Sequence, residues 1–415
     1  MSAPAAARPL ADDDAVIVSA ARTPIGRAFK GSLTAMRADD LAAAAVTAAL
    51  ARVPQIDARS QVEDLLLGCG QPAGEQGYNI ARVVALLAGL PTVPGVTVNR
   101  YCSSSLQTIR MAAHAIRAGE GDCFVAAGTE AISRYERGKA DGMPETKNPR
   151  FDAARERTAA RARGGAGDWT PADGLPDAYV AMGETAENVA ELAGVTRAQM
   201  DAWAARSQQR AVAAQEAGLF AREIVPVTTP DGTVVAADDC PRPGTTEERL
   251  AGLRPAFRPD GRVTAGNACP LNDGAAAVVV TSAAFARRHG ITPLARIVAS
   301  GVSALDPEIM GLGPVEACER ALARAGMTIA DVDRVEINEA FAAQVLPSAE
   351  RLGIDHDRLN VRGGAIALGH PFGMTGARIM TTLLHMLQDD DLEIGLESMC
   401  VGGGQGMAMV VQRLA

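Results

Sequence analysis

Short apolar runs ending in glycine alternate along the chain with alanine-rich stretches of helical period. Residues 15–19, 65–68 and 124–128 are runs of the first kind, and residues 41–52 and 106–118 are stretches of the second. Strands that read as continuous apolar runs are buried on both faces, and intervening helices supply the cover. The alternation therefore predicts a βαβ chain around a largely parallel sheet, of the α/β class. The last third repeats the pattern. A helix predicted over 315–325 leads into an apolar run at 332–338, as the helix over 41–52 leads into the run at 62–68, and an Ile-Asp or Ile-Ala-Asp turn precedes each run. From Gly68 to Asn338 the offset is 270 residues. Self-similarity at a fixed offset indicates an internal duplication.

The two copies are separated by sequence of another character. Residues 134–174 are rich in Arg, Gly, Pro and Asp with little periodicity, which reads as a loop excursion. A helix is predicted over 185–218. Three units follow: an N-terminal half made of residues 1–132 and 262–292, an inserted loop domain at 133–261, and a C-terminal half at 293–415.

A chain of 415 residues exceeds one ordinary core of about 150 residues, in keeping with two packed halves. The formal charge of -9 and an aromatic content of 3% argue against nucleic acid as the main partner, because such proteins present a basic face. The longest uncharged apolar stretch, residues 274–286, falls short of the roughly 20 residues that span a bilayer. Seven cysteines without a CxxC pair read as reduced thiols rather than as disulfides or a zinc site. Residues 1–10 lack a basic segment followed by an apolar one, and Asp12, Asp13 and Asp14 oppose an organellar address. A cytoplasmic protein without a metal is expected.

Four clusters carry candidate chemistry. Cys102 stands between an apolar strand and a helix that opens with three serines, where unpaired amides and the helix dipole stabilise a thiolate. His370 is surrounded by Gly363, Gly364, Gly369, Pro371, Gly373 and Gly376, a backbone built for unusual conformations around one ring, and is the candidate general base. Cys400 precedes Gly402, Gly403, Gly404 and Gly406, a loop able to aim bare N–H groups at an oxyanion. This loop is not a dinucleotide fingerprint, since the last required glycine falls on Met407 or Met409. Asn338 takes the place of Gly68 in the second copy, followed by Glu339, which reads equally well as a solvated charge. Each cluster alone has a bland reading as packing or turn. Together they place two thiols and an imidazole at strand ends, where open α/β sheets gather their sites. That set suits acyl transfer through a thioester, with Cys102 as nucleophile, His370 as base and Cys400 as proton carrier.

At these residues the sequence resembles the thiolases, coenzyme A dependent acyltransferases. The likeness runs from residues 20–26 through 263–267 and 272–276 to the final glycine loop. The resemblance implies a duplicated five-layer α/β/α/β/α core with an inserted loop domain that binds coenzyme A and makes oligomer contacts. It implies acylation of Cys102, activation by His370, and proton exchange at Cys400. It also implies one oxyanion hole formed by His370 with a water on Asn338, and another formed by the N–H groups of Cys102 and Gly402. Arg242 corresponds to an arginine near the adenine of coenzyme A, and Cys269 to a serine beside the pantetheine arm; Met182 and Phe341 belong to the same contacts. Coenzyme A and acyl-CoA enter as substrates with no permanently bound cofactor, and a homodimer or homotetramer is implied. Thiolases specialised for acetoacetyl-CoA carry a histidine where Ala181 stands, and a Met-x-x-Ala-Pro-His stretch where Ile132, Ser133, Arg134 and Tyr135 stand. The reading therefore leans to degradative cleavage of larger 3-ketoacyl-CoA substrates. The alternatives are an acetoacetyl-CoA-forming acetyl-CoA C-acetyltransferase and a non-catalytic acyl-CoA or lipid-binding protein. A ketoacyl synthase is disfavoured by Cys400.

Overall fold

The computed structural model describes residues 8–137, 145–164 and 167–415. The first half comprises β1 (Ala15–Arg22), β2 (Gly26–Arg27), α1 (Ala38–Ala51), α2 (Ala58–Gln61), β3 (Asp64–Cys69), α3 (Ile80–Leu87), β4 (Gly95–Val98), α4 (Ser104–Ala118) and β5 (Cys123–Ala131). The intervening segment carries α5 (Asp152–Ala162), α6 (Met182–Leu192), α7 (Arg197–Glu216), a small hairpin of β6 (Val227–Thr228) and β7 (Val234–Val235), and α8 (Glu247–Ala251). The chain then returns to the first half with β8 (Asn272–Ser282) and α9 (Ala283–Arg288). The second half follows as β9 (Ala295–Ala304), α10 (Gly313–Ala325), β10 (Arg334–Ile337), α11 (Ala342–Leu352), α12 (Ala365–Leu368), α13 (Thr375–Asp389), β11 (Ile394–Val401) and β12 (Gln405–Arg413).

The duplication is visible in strand order. The neighbours run β1-β8-β5-β3 in one half and β9-β12-β11-β10 in the other, with two antiparallel pairings and then a parallel one in each, so the sheet is mostly antiparallel and not the largely parallel one that the alternation predicts. Elements β3 and β10 begin at residues 64 and 334, α4 and α13 at 104 and 375, and β5 and β11 at 123 and 394, which are offsets of 270 or 271. Only the first half extends its sheet by a further strand, β4. The two half-sheets touch through two antiparallel residue pairs of β1 and β9, Val16 with Arg296 and Ile17 with Ala295.

Alternation of side chains sorts the strands into layers. In β8, Ala275, Ala277 and Val279 join the core beneath α1 and α3, whereas Ala276, Val278 and Val280 face the opposite way. In β12, Ala408 and Val410 join the core under α10 and α11, whereas Met407, Met409 and Val411 face inward. Both inward sets meet Leu106 and Ile109 of α4 and Met380 and Leu383 of α13 in one shared core. A period of two on the strands thus produces five layers, helix-sheet-helix-sheet-helix, with α4 and α13 in the middle.

The helix expected over 185–218 is two helices. The chain breaks at Gly194, whose φ of +66° closes α6, and Thr196 then opens α7 with a reciprocal capping box to Gln199. The excursion at 134–174 is also more structured than its composition indicates, because α5 forms inside it; residues 138–144 and 165–166 of that stretch lie outside the described residues. The segment between β5 and β8 is tied to the first half by Arg22 of β1. Its guanidinium, fully buried, donates to Glu223 at 2.8 Å and to both oxygens of Asp238 at 2.8 and 3.0 Å.

Candidate active site

Tyr101 at the end of the β4–α4 turn has φ of +43°, a left-handed conformation that few non-glycine residues adopt. It tips the next residue, Cys102, toward the first turn of α4. Two contacts fix this elbow across the layers. Arg100 donates to Gln405 Oε1 of β12 at 2.8 Å, and Ser105 Oγ accepts the Ala377 N–H of α13 at 2.9 Å. Close approach of α4 to β3 requires a glycine, since a Cβ on Gly68 would lie 2.5 Å from the backbone of Ser104 and Ser105.

The loop that carries His370 lies before α13 as Cys102 lies before α4, so the duplication sets the two reactive groups at equivalent elbows. Gly369, with φ of +105°, lets the chain pass Asn272, whose side-chain Oδ1 accepts the His370 N–H at 2.9 Å. The Thr375 hydroxyl gives its single proton to Pro371 O at 2.8 Å, so its contact with His370 Nδ1 at 2.6 Å is acceptance from an N–H. That network assigns the ring proton to Nδ1 and leaves Nε2 with its lone pair. Nε2 faces Asn338 Nδ2 at 3.3 Å. Burial, with a smaller contribution from the Arg378 charge, holds His370 down to about 3.

The thiols respond to burial in the opposite sense. Cys102 is pushed up to about 11 by desolvation, although the Gly402 N–H donates to it and pulls the other way. Loss of water outweighs the amides at Cys102, so burial favours the thiol over the helix-stabilised thiolate expected from the sequence. Cys400, fully buried, is pushed well above its ordinary value by desolvation, then by Cys102 and Cys269. Cys269 is likewise raised by burial, then by Cys102. These three thiols lie within electrostatic reach, so each thiolate opposes ionisation of the others.

A cavity of about 370 Å³ opens on Cys102. Tyr101, Gly402, Gly403 and Phe372 line it from the two halves, and Tyr179, Val180 and Met182 from the segment between β5 and β8. His370, Asn338 and Cys400 are buried and are not among the residues that line it. Other expected contacts lie apart from it. Arg242 is exposed, with its N–H on Gln208 Oε1 at 2.8 Å. Cys269 donates its N–H to Ala340 O at 3.0 Å, and Phe341 bridges to Ala268 and meets Phe257 edge-on at 6.3 Å.

Two supporting carboxylates escape the sequence reading. Glu339 is not solvated but fully buried: it accepts from Trp203 Nε1 at 2.9 Å, Ser207 Oγ at 2.6 Å, Asn360 Nδ2 at 3.0 Å and the Ile366 N–H at 3.2 Å, fixing the turn that carries Asn338. Glu130 accepts N–H groups of Gly70 at 2.7 Å and Gly373 at 2.9 Å, joining a cavity wall to the histidine loop. The donors of both are scattered through the chain, so no local pattern marks them. Thr375, five residues after His370, is marked only by its place at the start of α13.

The whole chain matches known proteins. The model of the thiolase N-terminal domain matches residues 15–284, and that of the thiolase C-terminal domain residues 291–413. The chain is 44% identical over 413 residues to the 3-oxoadipyl-CoA/3-oxo-5,6-dehydrosuberyl-CoA thiolase of Escherichia coli strain K12, covering 97% of this chain and 100% of that one. It is 43% identical over 410 residues to a 3-ketoacyl-CoA thiolase of Aeromonas salmonicida, covering 97% and 100%. The solved dimeric peroxisomal thiolase of Saccharomyces cerevisiae superposes with a TM-score of 0.86 at 36% identity, covering 98% of each chain. The duplicated five-layer core, the paired elbows and these matches over nearly its full length establish that the chain belongs to the thiolase family and is an acyltransferase.

Proposed function

We propose that this acyltransferase cleaves 3-ketoacyl-CoA with free coenzyme A, reversibly, through an acyl-Cys102 thioester, in the degradative direction. The observation that carries the reading is the tautomer of His370, whose Nε2 is left as an acceptor by the Thr375 contact, in a fold that also sets the Cys102 thiol, largely buried, on the wall of the cavity. Cys102 Sγ attacks the ketone carbon as its proton passes to Nε2, and the bond between C2 and C3 breaks. The acyl group stays on sulfur, and the electron pair leaves as the acetyl-CoA enolate, which takes a proton from Cys400. The thiol of a second coenzyme A returns a proton to Cys400 and attacks the thioester, releasing acyl-CoA; Cys102 regains the proton held by His370. Mutual repulsion of the thiolates supports this order, with one sulfur ionised at a time.

Two oxyanion sites belong to the reading. The N–H groups of Gly402 and Cys102 bind the oxyanion on the acyl group, a role supported by the favourable interaction of both amides with the Cys102 sulfur. Asn338 Oδ1 is buried without a protein donor among the described residues, which supports its holding a water that works with His370 at the thioester oxygen. Contacts to coenzyme A are assigned to Arg242, Cys269, Met182 and Phe341; the position of Met182 on the cavity wall supports the assignment. The three-unit division at 1–132 with 262–292, 133–261 and 293–415 is part of this proposal, as are the absence of a permanently bound cofactor and a reducing, cytoplasmic setting. Seven free cysteines support the last. A homodimer or homotetramer is supported by the exposed apolar residues Tyr78, Leu86, Leu87 and Val96 around the edge strand β4.

Intact-mass analysis tests the core of this reading. Substrate without free coenzyme A leaves an acyl adduct on Cys102, and Cys400→Ser retains the adduct while exchange of the acetyl-CoA methyl protons falls by about 100-fold or more. An active enzyme that never acylates Cys102 refutes it. Equal loss in both half-reactions refutes the division between the cysteines.

A further inference from the structure

Among the described residues, the cavity above Cys102 is lined by one charged residue, Lys147, supplied by the segment between β5 and β8. We propose that the Lys147 ammonium binds an anionic group at the far end of the acyl chain, so that the preferred substrates are 3-oxoacyl thioesters of dicarboxylic acids. The proposal rests on the acyl-Cys102 reading above and adds the acyl class to it.

Three observations carry it. First, the same cavity is bounded by the nucleophile, Cys102, with Gly402, and by Lys147, so a chain bonded to the sulfur shares its space with the ammonium. Second, among the described residues no carboxylate pairs with Lys147, and no acidic side chain lines the cavity. Lys147 contacts the Tyr179 ring, with the ammonium 5.8 Å from the centroid, a weak interaction that leaves the ammonium without a carboxylate partner among the described residues. Third, the segment is held against the wall: the Asn148 N–H donates to the Tyr179 hydroxyl at 3.1 Å, and Phe151 packs edge-on to the same ring at 5.4 Å. An exposed ammonium at the rim of an otherwise uncharged cavity, on a segment anchored next to it, favours an anion there over a methyl group. About 370 Å³ holds roughly a dozen non-hydrogen atoms at about 30 Å³ each, enough for a six-carbon acyl chain ending in a carboxylate.

Two substrates of equal chain length test the proposal, 3-oxoadipyl-CoA with its terminal carboxylate and 3-oxohexanoyl-CoA without it. Loss of a hydrogen bond to a charged group is worth about 10- to 100-fold, so the wild-type protein has a kcat/KM for 3-oxoadipyl-CoA higher by about that factor. Lys147→Met brings the ratio of the two close to one, and Lys147→Arg keeps it well above one. Coenzyme phosphates are the other anions in reach; if they occupied Lys147, Lys147→Met would raise the KM for coenzyme A with both substrates alike and leave the ratio unchanged, which overturns the proposal. A wild-type ratio near one also overturns it while leaving the acyl-Cys102 reading intact. Failure to turn over either substrate, with no adduct on Cys102, overturns that reading and this inference with it.

Discussion

At the scale of the residue, the chemistry depends on protons being in the right place before substrate arrives. Thr375 has no reactive role, yet its hydroxyl, already committed to Pro371 O, leaves His370 one available tautomer. Thr375→Val removes the acceptor and allows the proton to move to Nε2, where it blocks the transfer from Cys102. Removing the group that orients a reactive imidazole costs about 10- to 100-fold, so kcat falls by that factor while Thr375→Ser stays near wild type. Steady-state kinetics of the two variants check this; an equal loss in both would assign Thr375 to packing alone. The candidate residues could be singled out in the sequence, because Cys102, His370, Cys400 and Asn338 each interrupt a pattern that glycine or serine otherwise sets. Their ionisation could not be read there, since desolvation depends on what packs over each group, and the helix amides at Cys102 are outweighed by it.

At the scale of the element, the site is the meeting of two helix N-termini. Helices α4 and α13 approach so closely that a Cβ on Gly376 would lie 2.3 Å from the Leu106 nitrogen, with no flexible side chain to give way. Gly376→Ala therefore forces the helices apart and lowers stability by about 1–3 kcal/mol, the cost of overpacking. Urea unfolding followed by circular dichroism measures it; a midpoint equal to wild type would show that the helix pair yields freely. Helix positions could be read from period and composition, but the break between α6 and α7 could not be read as an end. Gly194 inside an alanine-rich stretch is compatible with a continuous helix until the second segment packs elsewhere.

At the scale of the whole molecule, two copies of one unit enclose a shared helical layer, and a long segment between them supplies walls of the cavity. Buried charge locks that segment to the first half. Arg22 is enclosed with Glu223 and Asp238, and removing it alone strands two carboxylates away from water. Arg22→Met costs about 3–5 kcal/mol. Differential scanning calorimetry checks this as a lowered transition temperature; a change within error would mean that water reaches the two carboxylates. Among the described residues no helix is long and apolar enough to cross a membrane, in line with the short apolar stretch at residues 274–286.

The amino-acid sequence by itself determined the class of fold, the duplication and the candidate site residues, because these rest on local signals: strand runs, a repeat offset of 270, and polar groups in turns that otherwise need only glycine. Tertiary structure alone decided the rest. Glu339 and Glu130 became buried hubs through donors from distant parts of the chain, which no spacing encodes. The upward push on the Cys102 thiol and the downward push on the His370 imidazole come from burial, and the placement of Lys147 in the cavity above Cys102 from the folding of a segment whose sequence shows no period. Local patterns fix which backbone forms; water exclusion and charge are properties of the assembled layers.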